Sequence, residues 1–333
     1  MFVDRKDLLT LILSNDSIMK PPYNITPLIL SKIASISEKV GEVKTAYLLQ
    51  PPAELRKRNR IKTIQSSLEI EGNTMTEEQI TALINNKRVL APEKDILEVK
   101  NAIITYEQLD TFKPYNLNSL LKAHRLLMNG LVDNAGKLRS KGVGIVKGSE
   151  TIHVAPPADR VKSLIEELLD YAANDKDLLL IKSCVFHYEF EFIHPFIDGN
   201  GRMGRLWQTV LLRQQYPVFD YLPIEALIRN QQLNYYNVLA KADKLGESTP
   251  FIEFMLTIIE QALEGLLSTQ PITLKGEDRI QLFKTIIGGN TFSRKDYMRH
   301  FKDIASATAS RDLREGTEKN ILEKTGDGRL TMY

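Results

Sequence analysis

Apolar residues recur at three- and four-residue spacing over residues 25–49, 53–68 and 97–109, the periodicity of helices that turn one face to a core. Local punctuation agrees. Thr76-Glu77-Glu78-Gln79 is a capping box that opens a helix, Asn118 or Ser119 can cap the helix running to Met128, and Gly130 can close it. The pattern breaks over residues 139–156. There Val143-Gly144-Ile145-Val146 and Thr151-Ile152-His153-Val154 flank Lys147-Gly148-Ser149-Glu150, which predicts a β-hairpin with Gly148 in its turn, ending at Pro156-Pro157. Residues 177–192 are almost continuously apolar and aromatic, and their length favours a buried helix over a strand. Further helices are predicted over 200–214, 224–230, 233–243 and 251–267.

Residues 268–277, with Pro271 and Gly276, read as a linker. Beyond it the order is helix, short helix after Ser293, longer helix from about Ala305, then strand-turn-strand over 321–333 with Gly326 and Gly328 in the turn. That is the order of a winged helix-turn-helix domain. The expected fold class is therefore all-α with one small β-hairpin, and the expected organisation is a helical region over 1–112, a core over 113–267, a linker over 268–277 and the winged helix-turn-helix over 278–333.

Composition narrows the function without naming it. The 333 residues allow about two domains of ordinary size. Hydrophobic residues at 43% and charged residues at 26% exclude a disordered chain. With 44 basic and 42 acidic residues the net charge is +2, too even to attract nucleic acid over the whole molecule. The single cysteine, Cys184, lies in an apolar run and reads as a buried, inert thiol. No segment approaches the about 20 apolar residues of a membrane span, and no cleavable leader is evident, so a cytoplasmic location without membrane contact is expected.

The chemistry concentrates at residues 194–205, His-Pro-Phe-Ile-Asp-Gly-Asn-Gly-Arg-Met-Gly-Arg, between two helices. Gly199 and Gly201 permit backbone angles closed to other residues, and with Asn200 they form a turn whose amides, leading into a helix N-terminus, point together at an anion. Arg202 and Arg205 are three apart on the following helix, hence on one face, where two cations would hold the outer phosphates of a nucleotide. Asp198 offers a hard oxygen ligand for a magnesium ion bridging those phosphates. His194 is the group that accepts a proton near neutral pH. A lone histidine before proline is more often a packing residue, and paired arginines are more often solvated; the coincidence of all the parts is what argues for a site. Residues 199–204 also match the G-x-G-x-x-G dinucleotide fingerprint, with Asp220 about 20 residues on. That reading fails on context, because a dinucleotide fold needs a strand before the glycines and the upstream chain reads as helix.

Residues 194–205 resemble the H-P-F-x-D-G-N-G-R-x-x-R signature of the Fic family at every defined position. The similarity extends to Gly136-Lys137-Leu138-Arg139 and the hairpin before Pro156-Pro157, which look like the family's target-docking flap, and covers roughly residues 20–265. The resemblance implies a Fic-type helical fold and a protein adenylyltransferase: His194 activates a target hydroxyl for attack on the α-phosphorus of ATP, Asp198 holds Mg2+, Gly199, Asn200 and Gly201 bind the phosphates, and Arg202 and Arg205 clamp them. It also implies that the partner is a protein presenting a Ser, Thr or Tyr hydroxyl, the enzyme itself among the candidates, and that Thr151, Ile152, His153 and Val154 of the flap pair edge-to-edge with it. Tyr235 and Tyr236 resemble a stretch near the nucleotide, as candidate adenine contacts, although aromatics at helical spacing are usually core.

Upstream, Ser67-Leu68-Glu69-Ile70-Glu71-Gly72 resembles the family's inhibitory motif. Gly72 and Asn73 end a helix, so Glu71 falls in its last turn, where the helix dipole disfavours negative charge and a cation would be welcome. The resemblance makes that cation Arg205 and the pair a brake on γ-phosphate binding. The bland alternative is a solvated helix end. Removal of AMP by the same site is a second function that the motif allows, and a regulatory binding protein with an inert Fic centre is a third. In the winged helix, Arg311, Arg314 and Lys319 are interleaved with Asp312, Glu315 and Glu318, a weak case for DNA; target selection, dimerisation as a homodimer, or regulation fits better.

Overall fold

The computed structural model describes residues 20–46, 53–142, 144–147, 150–268, 276–301, 304–326, 328 and 331–333. These residues form an all-α architecture with one two-stranded antiparallel hairpin. In chain order the helices are α1 (Pro27–Ala46), α2 (Ala53–Ile70), α3 (Glu77–Ile84), α4 (Glu93–Glu107) and α5 (Leu117–Leu127). After the hairpin of β1 (Gly144–Lys147) and β2 (Glu150–Val154) come α6 (Val161–Asn174), α7 (Leu179–Ile193), α8 (Asn200–Leu212), α9 (Ile224–Asn230), α10 (Gln232–Leu245) and α11 (Thr249–Ser268). The C-terminal part contributes α12 (Gly276–Ile287), α13 (Arg294–His300) and α14 (Ser306–Glu318). Two compact units result, one reaching residue 265 and the other formed chiefly by the residues after it.

The first unit is built on α7 and α8. Phe186, Tyr188, Phe190, Leu206, Trp207, Val210 and Leu211 are all fully buried, which is why residues 177–192 carry no amphipathic stripe: every face of α7 meets protein. The two helices approach closely because Gly204 has no side chain; a Cβ there would meet Glu191 Oε1 at 2.8 Å and His187 Cδ2 at 2.9 Å. Thr76 and Gln79 form the expected capping box at α3. The cap of α5 is Asn116, whose Oδ1 accepts from the Ser119 amide at 2.9 Å, rather than Asn118 or Ser119. The reason is reach: the capped amide lies three residues after its cap, and Ser119 supplies the amide while its hydroxyl takes the Lys113 N–H. Cys184 is buried, and burial pushes its thiol up to about 12, which leaves it protonated and inert.

The hairpin pairs Gly144 with Val154 and Lys147 with Glu150, with an irregularity between Ile145 and Val146. Its turn glycine, Gly148, and the side chains of Thr151, Ile152, His153 and Val154 lie outside the described residues, as does most of the 268–277 linker. No helix among the described residues is long and apolar enough to cross a membrane.

The second unit has its own core of Ile280, Phe283, Phe292, Tyr297, Ala309, Leu313 and Leu322. Helix, short capped helix and longer helix follow the expected order, Ser293 forming a capping box with Asp296. Of the expected strand-turn-strand, the described residues show antiparallel pairings of Thr325 with Met332 and of Ser293 with Met332, while 327, 329 and 330 lie outside the described residues. Gly326 and Gly328 both take left-handed backbone, as residues of a tight turn do. Asp312 also corrects the charge reading of α14. It is 1% exposed and holds Arg279 through two hydrogen bonds of 2.7 and 2.8 Å, so it is a core ion pair and subtracts nothing from the surface charge.

Candidate active site

Residues 194–205 fold as a tight turn joining α7 to α8. The chain leaves α7 through His194 in left-handed backbone, φ 49° and ψ 61°, which an L side chain adopts at a cost of about 1–2 kcal/mol. Asn200 closes the turn upon itself: the Phe196 amide donates to its Oδ1 and its Nδ2 donates to the Phe196 carbonyl, both at 2.9 Å. Its side chain is thereby committed to the loop, and its contribution to an anion site is the backbone at the start of α8. Gly199, φ 84°, must be glycine for a second reason, since a Cβ would meet Met128 Sδ at 2.7 Å.

His124 of α5 supports the turn from below. The Gly136 amide donates to its Nδ1 at 2.8 Å, so Nε2 carries the proton and donates to the Asp198 carbonyl at 3.0 Å. The ring stacks on Phe196 with centroids 3.6 Å apart. Burial drives its pKa down to about 4, so it works as a neutral strut. Sequence reading gave this histidine no role; its signal is a polar ring on the buried face of an amphipathic helix.

The two signature arginines are both buried, Arg202 at 5% and Arg205 at 2% exposure. Arg202 Nη2 donates to Asp198 Oδ1 at 3.1 Å, and Nη1 donates to Glu98 Oε1 at 3.1 Å. Glu98 is a residue that sequence reading missed. It intrudes, with Asp95, on the stripe that buries Val99 and Ala102, and a carboxylate there implies a buried partner. Its other oxygen accepts from Asn73 Nδ2 at 2.8 Å, and Asp95 Oδ2 accepts from the Thr74 amide and hydroxyl, so α4 holds the turn that follows α2.

Arg205 faces that same helix end. Its Nη2 donates to Glu71 Oε1 at 2.7 Å and to the Ser67 carbonyl at 2.9 Å, and its Nε donates to Ser67 Oγ at 3.2 Å. Ser67 and Glu71, four apart on adjoining turns, thus grip one guanidinium together. The Glu71 carboxylate lies directly over Gly201, where a Cβ would run into its Oε1 and would come within 3.1 Å of Arg205 Nη1. The carboxylate therefore fills the space that a side chain at residue 201 would take. Burial works against the charge of Arg205, yet its pKa is raised overall by Glu71, with Tyr235 and Glu191 contributing.

Asp198 is half-exposed, and its Oδ1 takes both the Gly199 amide at 2.6 Å and Arg202. No cluster of three His, Cys, Asp or Glu with metal-binding geometry occurs among the described residues. Tyr235 is 1% exposed, its hydroxyl 3.1 Å from His187 Nε2, so this tyrosine is part of the core between α7, α10 and α11. Tyr236 is 44% exposed, and with its neighbour it brackets the inner and outer faces of α10.

Comparison with known proteins follows the same residues. Residues 114–212 match the model of the Fic/DOC family. A Fic family protein from Desulfovibrio desulfuricans G20, known from its crystal structure, is 45% identical, with a TM-score of 0.71 over 95% of this chain and 98% of that one. Fic-1 of C. elegans shares the fold at 18% identity, with a TM-score of 0.61 over 80% of this chain and 78% of that one. Among curated proteins, the protein adenylyltransferase Fic of Nematostella vectensis is 27% identical over 264 residues, 73% of this chain and 58% of that protein. Its namesake in Drosophila willistoni is 29% identical over 215 residues, 60% of this chain and 40% of that protein. The chain spans between 40% and 58% of the length of these curated relatives.

Proposed function

The chain belongs to the Fic family, and on that premise we propose that it is a protein adenylyltransferase that moves AMP from ATP to a Ser, Thr or Tyr hydroxyl of a target protein, itself included, under restraint by Glu71. His194 takes the proton of the acceptor hydroxyl, whose oxygen bonds to the α-phosphorus as the bond to the β-phosphate breaks and pyrophosphate leaves. Arg202, Arg205 and the amides at the start of α8 hold the phosphates. Catalysis of this kind rests on positioning and on neutralising phosphate charge, which suits a turn over-determined by Asn200 and His124.

One observation carries the reading: two buried guanidinium groups converge on a glycine turn, and each is matched by a carboxylate from the helices that precede it. A polyphosphate supplies the same charges. Glu71 occupies the position over Gly201, which supports a brake that acts by holding Arg205 and excluding the terminal phosphate. Asp198 suits a magnesium ion that arrives with the nucleotide, because Mg2+ is commonly held by one or two carboxylates together with substrate phosphates. Bound there through Asp198, the ion would neutralise phosphate charge.

Intact-mass measurement of the purified chain with ATP and Mg2+ tests this. A gain of one adenylyl unit is expected, small in the parent and larger in Glu71→Gly. No gain in either form defeats the transferase reading, and equal gain in both defeats the brake.

A further inference from the structure

Arg139 is 3% exposed and, among the described residues, directs its guanidinium at four backbone carbonyls. Its Nε donates to His194 O at 2.7 Å, Nη2 to Ile193 O at 3.2 Å and Pro156 O at 2.6 Å, and Nη1 to Lys141 O at 2.9 Å. Its own amide donates to Pro195 O at 2.9 Å. Two of these acceptors end α7, where carbonyls lack intrahelical donors and a cation is favoured. The other two are the feet of the hairpin: Lys141 lies just before β1 and Pro156 just after β2.

A single planar group therefore joins three pieces of chain. His194 holds a left-handed conformation that an L residue keeps only where its surroundings over-determine it, and that backbone sets the point from which its imidazole projects. Arg139 supplies much of the determination, with donors on residues 193, 194 and 195 at once. The phosphate-holding arginines have other partners, Glu98 and Asp198 for Arg202, Ser67 and Glu71 for Arg205.

We propose that Arg139 is a positioning residue for the transfer step: it locks the backbone of His194 and both feet of the hairpin into one body, so that an acceptor hydroxyl docked on the hairpin arrives against the imidazole. The inference rests on the adenylyl-transfer reading. It requires the fork geometry of arginine, since a lysine ammonium keeps the charge but cannot span carbonyls on three segments.

The test uses the full chain in the Glu71→Gly background, comparing Arg139→Lys and Arg139→Ala for adenylyl gain against time and for ATP affinity by titration. Transfer falls by about 100-fold in both variants, the cost of a displacement of about 1 Å between reacting groups, while ATP affinity stays within about twofold. Added methylguanidine restores transfer to Arg139→Ala and leaves Arg139→Lys unchanged. Transfer by Arg139→Lys at the undiminished rate, or a loss of ATP affinity in step with transfer, overturns the proposal. Should Arg139→Ala fail to fold, the split between transfer and ATP affinity in Arg139→Lys decides. If the Glu71→Gly background itself gains no adenylyl mass, the function reading falls and this inference with it; a normal gain there with an indifferent Arg139→Lys removes this inference alone.

Discussion

His194, Glu71 and Arg205 each do something at the residue scale that their neighbours cannot take over. The imidazole of His194 sits on left-handed backbone at the end of a helix, held there through main-chain contacts, while the guanidinium groups of Arg202 and Arg205 depend on partners elsewhere. Base assistance typically contributes about 10² to 10⁴ in rate, so His194→Ala loses transfer by that factor and keeps ATP binding, as labelling with α-labelled ATP beside a binding titration would register. Ser67 shares Arg205 with Glu71. In Ser67→Ala the guanidinium keeps its carboxylate and loses one hydrogen bond worth about 1 kcal/mol, so adenylyl gain rises about fivefold over the parent, and less than in Glu71→Gly. A Ser67→Ala protein labelled no faster than the parent would assign the whole grip to Glu71.

At the scale of elements, the site is a property of the α7–α8 pair and of what presses on it. Gly204 sets their separation, so Gly204→Ala forces a methyl group against Glu191 and His187. Such overpacking costs about 1–3 kcal/mol, and thermal melting of the variant is expected to fall accordingly. An unchanged melting temperature would mean that the helices have slack. Asn200 and the stacked His124–Phe196 pair fix the turn between them, and α4 fixes the end of α2 through Asn73 and Thr74. The end of α2 that carries Glu71 is consequently held by a second helix, although the short motif that contains Glu71 lies on one.

The whole molecule carries a pH dependence written by burial. Glu225 on α9 is 2% exposed, and burial raises its pKa to about 7 against the pull of Arg205, Thr63 and Tyr106. An acid whose pKa is raised on folding contributes stability below its unfolded value, here the ordinary 4.5, and loses it as pH climbs through the folded value. The buried imidazoles of His124 and His187, whose pKa values burial lowers, act in the opposite direction, so the Glu225 contribution is read as a difference: the melting temperature of Glu225→Gln should rise relative to the parent as pH climbs from about 5 to about 7. Parallel pH curves in the two proteins would remove Glu225 as a cause.

The sequence alone determined the helical class, the hairpin, the Cys184 environment and the concentration of chemistry at residues 194–205, because periodicity, caps, glycine and a contiguous motif are local in the chain. It also marked Ser67, Glu71 and Arg205, but their pairing was legible only through the family resemblance, since the hydrogen bonds among them span 134 to 138 residues and the fold supplies the contact. Glu98 and the strut of His124 were hidden for that reason: their meaning depends on partners 104 and 74 residues away, and nothing in their local pattern names those partners. The same holds for Asp312, an acid on a surface helix by spacing and a core ion pair with Arg279 by packing. A chain can write which groups it carries and how each segment curls, but which charges lose their water, and against whom, is settled only when distant helices close on one another.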